Sequence, residues 1–535
     1  MRKQLSILLA VLVALSGMML TGAMAEPAQE IIFALQNEPD GIDPGVTNNS
    51  FASPFLANCF EGLVTYDTAN GSLVGGNAEK WTISQDGTVY TFTLKDGLKW
   101  SDGSPLTAQD YLYAFKRVLT PATTAQYANM LTDYVVGAQE FYDGTGTEEE
   151  LGVKAPDDKT LVLTLKTATP YYIDILTMWT FSPVQQATVE ANGDTWTTSP
   201  ETYICNGPFM ISEMNMGESV VLVKNPEYYD ADKVNLDKVT FRYITDLSTA
   251  LLAFESGEIQ GSRGLPSSDY SRLKAEDAGV VTVSSYGTVF YNFNCAKAPF
   301  DNVLVRKAFN LAVDRTSLIE DVVQIPAEPA FSFIAPGYVV NGSDFAEGRS
   351  DFGLSPTADV DGARAALAEA GYPGGEGFPE ITLSYYTSNA VKKVVEALAE
   401  MLQENLQITI NITTEEWSSY YPNVQAGNYD LCAMGWSGDY LHPMTFLPLL
   451  VTDELNNLGK YSNPEYDALV KRAQVETDAQ KALEIMREAD NVASAEYPML
   501  TLYYRANMML MKPEVQGFYL NPSDMLFLKT AKVTE

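Results

Sequence analysis

The chain contains one histidine, and that limits its chemistry more than any other residue count. His442 alone excludes zinc sites built on paired histidines and leaves a single base for a Ser-His-Asp arrangement. The nearest nucleophile motif, Gly435-Trp436-Ser437-Gly438-Asp439, resembles a hydrolase nucleophile turn only superficially, because Asp439 stands where the final glycine belongs. No Gly-x-x-x-x-Gly-Lys-Ser/Thr loop and no Gly-x-Gly-x-x-Gly fingerprint occurs, so nucleotide chemistry is absent. The 69 acidic residues guarantee some close carboxylate pairs of the kind glycoside hydrolysis uses, but that count has no specificity. An acidic secreted hydrolase is the alternative from another class. A binding role fits the segment Asp430 to Pro443 better. It opens as a short apolar strand and ends in Gly, Asp and Pro, the mark of a strand leaving a sheet toward a loop. Strand ends that face a crevice are where α/β domains bind ligands.

The elements that must position this segment are legible in the surrounding pattern. Ile381-Thr382-Leu383-Ser384-Tyr385-Tyr386 reads as a strand, and Val391, Val394, Val395, Leu398, Met401 and Leu402 follow at helical spacing. Ile408, Ile410 and Ile412 then alternate as a second strand, which makes a βαβ unit and a mixed or parallel sheet. Farther upstream, Val89 to Leu94 is a strand rich in aromatic and β-branched residues, turned by Lys95-Asp96-Gly97. Leu98-Lys99-Trp100 extends again, Ser101 to Pro105 turns, and Thr107 starts a helix with Leu112, Phe115 and Leu119 on its apolar side. Leu161 to Leu165 adds another strand to this early part.

That segment, Thr88 to Val118, closely resembles the signature of the large solute-binding proteins of bacterial ABC importers, the peptide/nickel group that includes the oligopeptide-binding proteins. Trp100-Ser101-Asp102-Gly103, Thr107-Ala108 and Asp110 carry the resemblance. It extends over nearly the whole chain, through Ile42-Asp43-Pro44, Phe60-Glu61-Gly62-Leu63, Asn206-Gly207-Pro208-Phe209 and Asn225-Pro226-Glu227-Tyr228-Tyr229. Phe300-Asp301-Asn302, Ala312-Val313-Asp314-Arg315 and Tyr461-Ser462-Asn463-Pro464 continue it in order. The resemblance implies an α/β, two-lobed periplasmic-binding fold with mixed sheets, a hinge between the lobes and an extra inserted domain. It divides the chain into domain I (26–66, 197–285 and 506–535), domain II (67–196, the insertion) and domain III (286–505), after a signal peptide at 1–25.

The same resemblance implies a binding site. It makes Gly435, Trp436 and Ser437 main-chain partners of an extended peptide and Asp439 the anchor for its α-ammonium group. Without that context, Asp439 reads as a loop residue capping a turn or helix. Trp436 and Trp417 read equally as core packing or as walls of a side-chain pocket. Tyr127 is a further candidate contact, and Glu38 and Asp40 correspond to the opposite edge of the cleft. The family's arginine six positions before the anchoring aspartate is replaced by Ala433, and its other cationic positions fall at Val391 and near Val323. Arg505 is the candidate substitute for holding the peptide carboxylate, with a structural ion pair at the hinge as its other reading. His442 reads as a packing or hydrogen-bonding residue beside Pro443.

Composition agrees with an exported binding protein. Residues 1–25 carry a basic start, an apolar run and Ala23-Met24-Ala25, the layout of a cleavable secretory signal with no cysteine at the cleavage point. A free periplasmic protein is therefore expected. The full chain carries a formal charge of −35, which repels phosphate backbones, so nucleic acid is excluded as a partner. Four cysteines, Cys59, Cys205, Cys295 and Cys432, are too few for a disulfide framework at this length, and Cys432 reads as a buried small hydrophobe. The expected function is the periplasmic substrate-binding subunit of an ABC importer, capturing short peptides and delivering them to its permease and ATPase complex. It is expected to be a monomer without cofactor, metal or enzymatic activity. Within the same fold the rival ligands are oligosaccharide, nickel chelate and cell-wall peptide; nickel predicts histidines, and a sugar predicts aromatic platforms with no use for Asp439.

Overall fold

A computed structural model describes residues 28–534, so the signal-peptide expectation lies outside the described residues. Ten strands form the path of a central mixed sheet: β1 (Glu30–Leu35), β2 (Phe209–Asn215), β3 (Ser219–Lys224), β4 (Lys238–Tyr243), β5 (Gly261–Ser262), β6 (Val280–Phe293), β7 (Ile381–Tyr386), β8 (Ile410–Glu415), β9 (Leu431–Ser437) and β10 (Met499–Met511). Their order across the sheet is β8-β7-β9-β6-β10-β5-β1-β4-β3-β2.

Two long strands hold the two halves together. β6 pairs antiparallel with β10 twice, Val280 to Ser284 against Ala506 to Leu510 and Thr288 to Asn292 against Met499 to Tyr504. Between these stretches the register breaks, and Tyr286 adopts a left-handed φ of 44°. The backbone is thus irregular between the two paired stretches of these strands. On one side β7 and β8 pair in parallel through the helix Asn389–Leu406, which is the expected βαβ unit. Val394, Val395, Leu398 and Leu402 bury its inner face, while Val391 and Met401 are half-buried. The second strand begins at Ile410 rather than Ile408, and Ile412 is exposed because β8 is the edge of the sheet.

A separate four-stranded sheet carries the early signature. Ala78–Ile83, Val89–Leu94, Thr160–Thr164 and Val153–Lys154 lie in that order, all antiparallel. Thr107 caps the helix Ala108–Val118 through a capping box with Asp110, which satisfies orphan backbone donors at that end. The buried face of this helix is Ala108, Tyr111, Ala114, Phe115 and Val118; Leu112 is only half-buried, one step off the stripe. Arg117 donates to both oxygens of Asp43, at 2.9 and 2.6 Å, and the Trp196 indole donates to Asp43 at 2.8 Å. The Ile42-Asp43-Pro44 motif thereby ties the second sheet to the central one.

Candidate functional site

The site grows from an unfinished edge on β9. Its neighbour β7 pairs with it only at Leu383↔Leu431 and Ser384↔Cys432, and the Tyr420 hydroxyl then donates to the Ala433 carbonyl at 2.7 Å. From Met434 to Ser437 the strand is paired on one side only, with β6, and no other strand among the described residues covers its outer edge. An exposed edge of main-chain donors and acceptors is a template for an added strand.

Beyond Ser437 the chain turns into a cavity of about 320 Å³. Ser437, Gly438, Asp439 and Tyr440 line it from one side, Tyr127, Thr177 and Trp179 from another, and Arg505, Asn507 and Asn521 to Met525 from the third. Three stretches far apart in sequence thus converge on one cleft. Of the expected residues, Asp439, Ser437, Arg505 and Tyr127 meet here. The Asp439 carboxylate accepts no hydrogen bond from any described residue, and burial alone pushes its pKa up to about 6. Its backbone N–H donates to Thr445 Oγ1 at 3.1 Å, and the Trp436 indole reaches the same oxygen at 3.5 Å. The following short helix is capped by His442, whose Nδ1 accepts from Met444 N–H, so Asp439 is not that helix's cap. His442 stacks on Tyr171 with ring centroids 5.0 Å apart, and burial takes its pKa down to about 3. It packs as expected and carries no charge in the neutral range.

Gly438 sets the path of this loop. A Cβ there would lie 2.1 Å from the Tyr338 hydroxyl, which itself donates to the Tyr286 carbonyl. Arg505 packs against two further glycines: a Cβ at Gly287 would sit 3.3 Å from its Cδ, and one at Gly435 would sit 2.8 Å from Nη2. The guanidinium crosses that vacated space and donates from Nη1 to Ser437 Oγ at 3.4 Å. No carboxylate among the described residues pairs with it, so the hinge ion pair is not formed. Another arginine, Arg263, is already neutralised: it pairs with Asp524 on the cavity wall and donates to the Ser50 carbonyl at 2.8 Å. Ser285 Oγ, also on the wall, is buried with no partner among the described residues.

Gly435, Trp436 and Trp417 line a second cavity of about 250 Å³ on the other side of the open edge, with Phe290, Asn292, Tyr421 and Met434. Trp417 is 49% exposed and stacks on Tyr421 at 5.1 Å, so it is a wall rather than core. Asn292 Oδ1 is buried there without a partner among the described residues. Glu38 and Asp40 line neither cavity. Both are exposed, with Glu38 accepting from Gly217 N–H at 3.1 Å and Asp40 from the Asn49 amide at 3.3 Å. Gly438, Thr445, Gly287 and Asn292 were not legible as site residues, because what they touch is distant in sequence.

A two-ended charge site beside an open strand edge suits an extended zwitterion. Comparisons with known proteins point the same way. Residues 72–458 match the family model described as bacterial extracellular solute-binding proteins, family 5. The oligopeptide-binding protein OppA of Bacillus subtilis is 32% identical, over 93% of this chain and 91% of its own. Among solved structures, the unliganded open form of the murein tripeptide-binding protein MppA superposes with a TM-score of 0.82 at 32% identity, over 95% of this chain and 98% of that one. Haemophilus influenzae OppA in complex with the peptide RPPGFSPFR gives 0.73 at 31% identity, over 95% and 100%.

Proposed function

This chain belongs to the family 5 bacterial extracellular solute-binding proteins, and from that premise we propose that it captures short peptides outside the cytoplasmic membrane for an ABC importer. The observation that carries the reading is the open edge at Met434–Ser437 running directly into the unpaired Asp439 carboxylate. A peptide backbone laid along that edge gains main-chain hydrogen bonds that do not depend on its side chains. Its ammonium group gives Asp439 the partner it lacks, in a site where a charge-assisted bond is stronger than a neutral one. The cavity lined by Trp417 and Trp436 receives a side chain, and Arg505 receives the carboxylate.

In this reading domain II is the inserted sheet, and domains I and III are the halves of the central sheet joined by β6 and β10. The better superposition on an open, unliganded relative than on a peptide complex supports reading this as the capture-ready state. Closure about the irregular segment at Tyr286 buries the peptide, and the closed shape is what the permease recognises. In this reading the protein works as a monomer in the periplasm. No helix among the described residues is long and apolar enough to cross a membrane. The proposed role involves no covalent chemistry; His442 stacks on Tyr171 and is uncharged in the neutral range. Among the described residues no group of three or more His, Cys, Asp or Glu side chains could hold a metal ion.

Native mass spectrometry of gently purified protein tests this, with denaturation to release whatever is bound. Heterogeneous peptides are expected; a single sugar or metal complex contradicts the proposal.

A further inference from the structure

The break in β6, the end of β9 and the loop that carries Asp439 meet at one carbonyl. In β6 the residues Ser285, Tyr286 and Gly287 stand against Arg505 alone on β10, which is where the pairing of those two strands breaks. β9 ends its pairing at the same level, with Ser437 opposite Gly287, so the chain leaves the sheet toward Asp439 beside Tyr286. The Tyr286 carbonyl accepts twice, from Gly438 N–H at 3.2 Å and from the Tyr338 hydroxyl at 3.0 Å. A carbonyl oxygen has two lone pairs, and both are used. Tyr286 itself holds a φ of 44°, a conformation that a bulky residue keeps only where its surroundings impose it. Tyr338 supplies much of those surroundings. The centroids of the two tyrosine rings are 4.4 Å apart, and Gly337 leaves room for the Tyr286 ring, because a Cβ there would sit 2.5 Å from its Cε1.

We infer that Tyr338 is a positioning residue for ligand capture: by holding the Tyr286 carbonyl it fixes Gly438, and with it the loop that carries Asp439, to the break in β6. This rests on the reading of Asp439 as the ammonium anchor. Tyr338 can do this because it is itself held from outside the site. It is fully buried, its carbonyl accepts from Phe345 N–H at 2.7 Å, and its ring meets Phe446 edge to face with centroids 6.0 Å apart. Burial, with the neighbouring Tyr286 and Asp439 adding to it, pushes the pKa of the hydroxyl up, so the O–H remains a donor across the neutral range. A second tie runs from Asp439 N–H to Thr445 Oγ1. With both of these backbone groups committed, the anchor loop is set before a ligand arrives, and little of its conformational freedom is left to lose on binding. The location matters as well. In the proposed closure the lobes turn about the segment at Tyr286, and points near a turning axis move least. An anchor tied there keeps its place while the rest of the cleft closes over the ligand.

Calorimetry at pH 7 with trialanine and its N-acetyl derivative, on the mature protein and on Tyr338→Phe, tests this role. The variant keeps the ring and removes only the hydroxyl. It should bind trialanine about tenfold more weakly than wild type and the acetylated peptide equally well, so the preference for a free amine shrinks about tenfold. Hydrogen exchange gives a second measurement that needs no ligand. Peptic fragments covering residues 434–442 should exchange faster in Tyr338→Phe, while those from the helix Asn389–Leu406 should exchange as in wild type. A residue that only supports the fold would weaken both peptides alike, or speed exchange in both places. Either result overturns the inference, as does a free-amine preference within about twofold of wild type. Failure of the underlying peptide reading looks different: the wild type itself binds the two peptides equally or binds neither, which removes the anchor that Tyr338 is inferred to hold.

Discussion

The segments Thr88–Val118 and Asp430–Pro443 are both rich in Gly, Asp, Ser and aromatic residues, yet they spend their polar groups in opposite ways. In the first, Asp110 closes the capping box, Asp102 accepts from Ser104 N–H at 2.9 Å and from the Gln185 amide at 2.9 Å, and Tyr90 donates to the Thr169 carbonyl at 2.7 Å. In the second, one strand edge is open and the half-buried Asp439 carboxylate accepts no hydrogen bond from any described residue. Satisfied groups stabilise a fold; groups held unsatisfied in a cleft are available to a ligand. The first segment therefore holds the inserted sheet together, and in the proposed function the second is the one that meets the ligand.

Substitutions should separate the two regions. The largest effect expected is on stability: Phe92→Ala removes a fully buried ring between Trp81 and Tyr90 and should lower unfolding free energy by about 3–5 kcal/mol in urea titrations, leaving peptide affinity of the folded protein unchanged. An equal loss of affinity would mean that the inserted sheet contributes to the site. Gly438→Ala should do the reverse. Forcing a methyl against the Tyr338 hydroxyl displaces the Asp439 loop, at a cost in binding of about 1–3 kcal/mol.

Acidity sharpens the comparison further. As the proposed ammonium anchor Asp439 works only when ionised, and in the free protein burial raises its pKa to about 6. Affinity measured by calorimetry should fall by about tenfold per pH unit below that point, with proton release on binding near pH 5.5. The same group affects folding with the opposite sign. Its folded pKa is raised above its ordinary value of 3.8, so the stability of the unliganded protein should decline as pH rises from about 4 to about 6. The smallest effect expected is from Thr107→Ala, which removes a helix cap in the first segment: about 1 kcal/mol of stability, with no change in binding.

How far the sequence revealed each region follows from the range of the interactions involved. Val89–Leu94 and Ile381–Tyr386 have the boundaries expected of them, because alternation and flanking breakers are local signals. Ile408 lies before its strand rather than in it, since an alternating triplet does not reveal where the loop after a helix ends. Asp439 was legible through its place at the end of an apolar strand and through family resemblance. Glu38 and Asp40, taken from resemblance alone, are exposed and bond Gly217, far away in sequence, and Asn49, nearby in sequence. The position of Arg505 was illegible: it lies against Gly287 and Gly435, on two different strands, and no local pattern in the sequence brings those three residues together.

The most direct measurement crosses two changes, Asp439→Asn in the protein and N-acetylation in a tripeptide, with all four affinities taken by calorimetry at pH 7. If Asp439 anchors the ammonium, each change alone should cost about 2–5 kcal/mol, and the second should cost almost nothing once the first is made. Two independent, additive losses would show that Asp439 and the peptide's amino end do not meet, and would contradict the account.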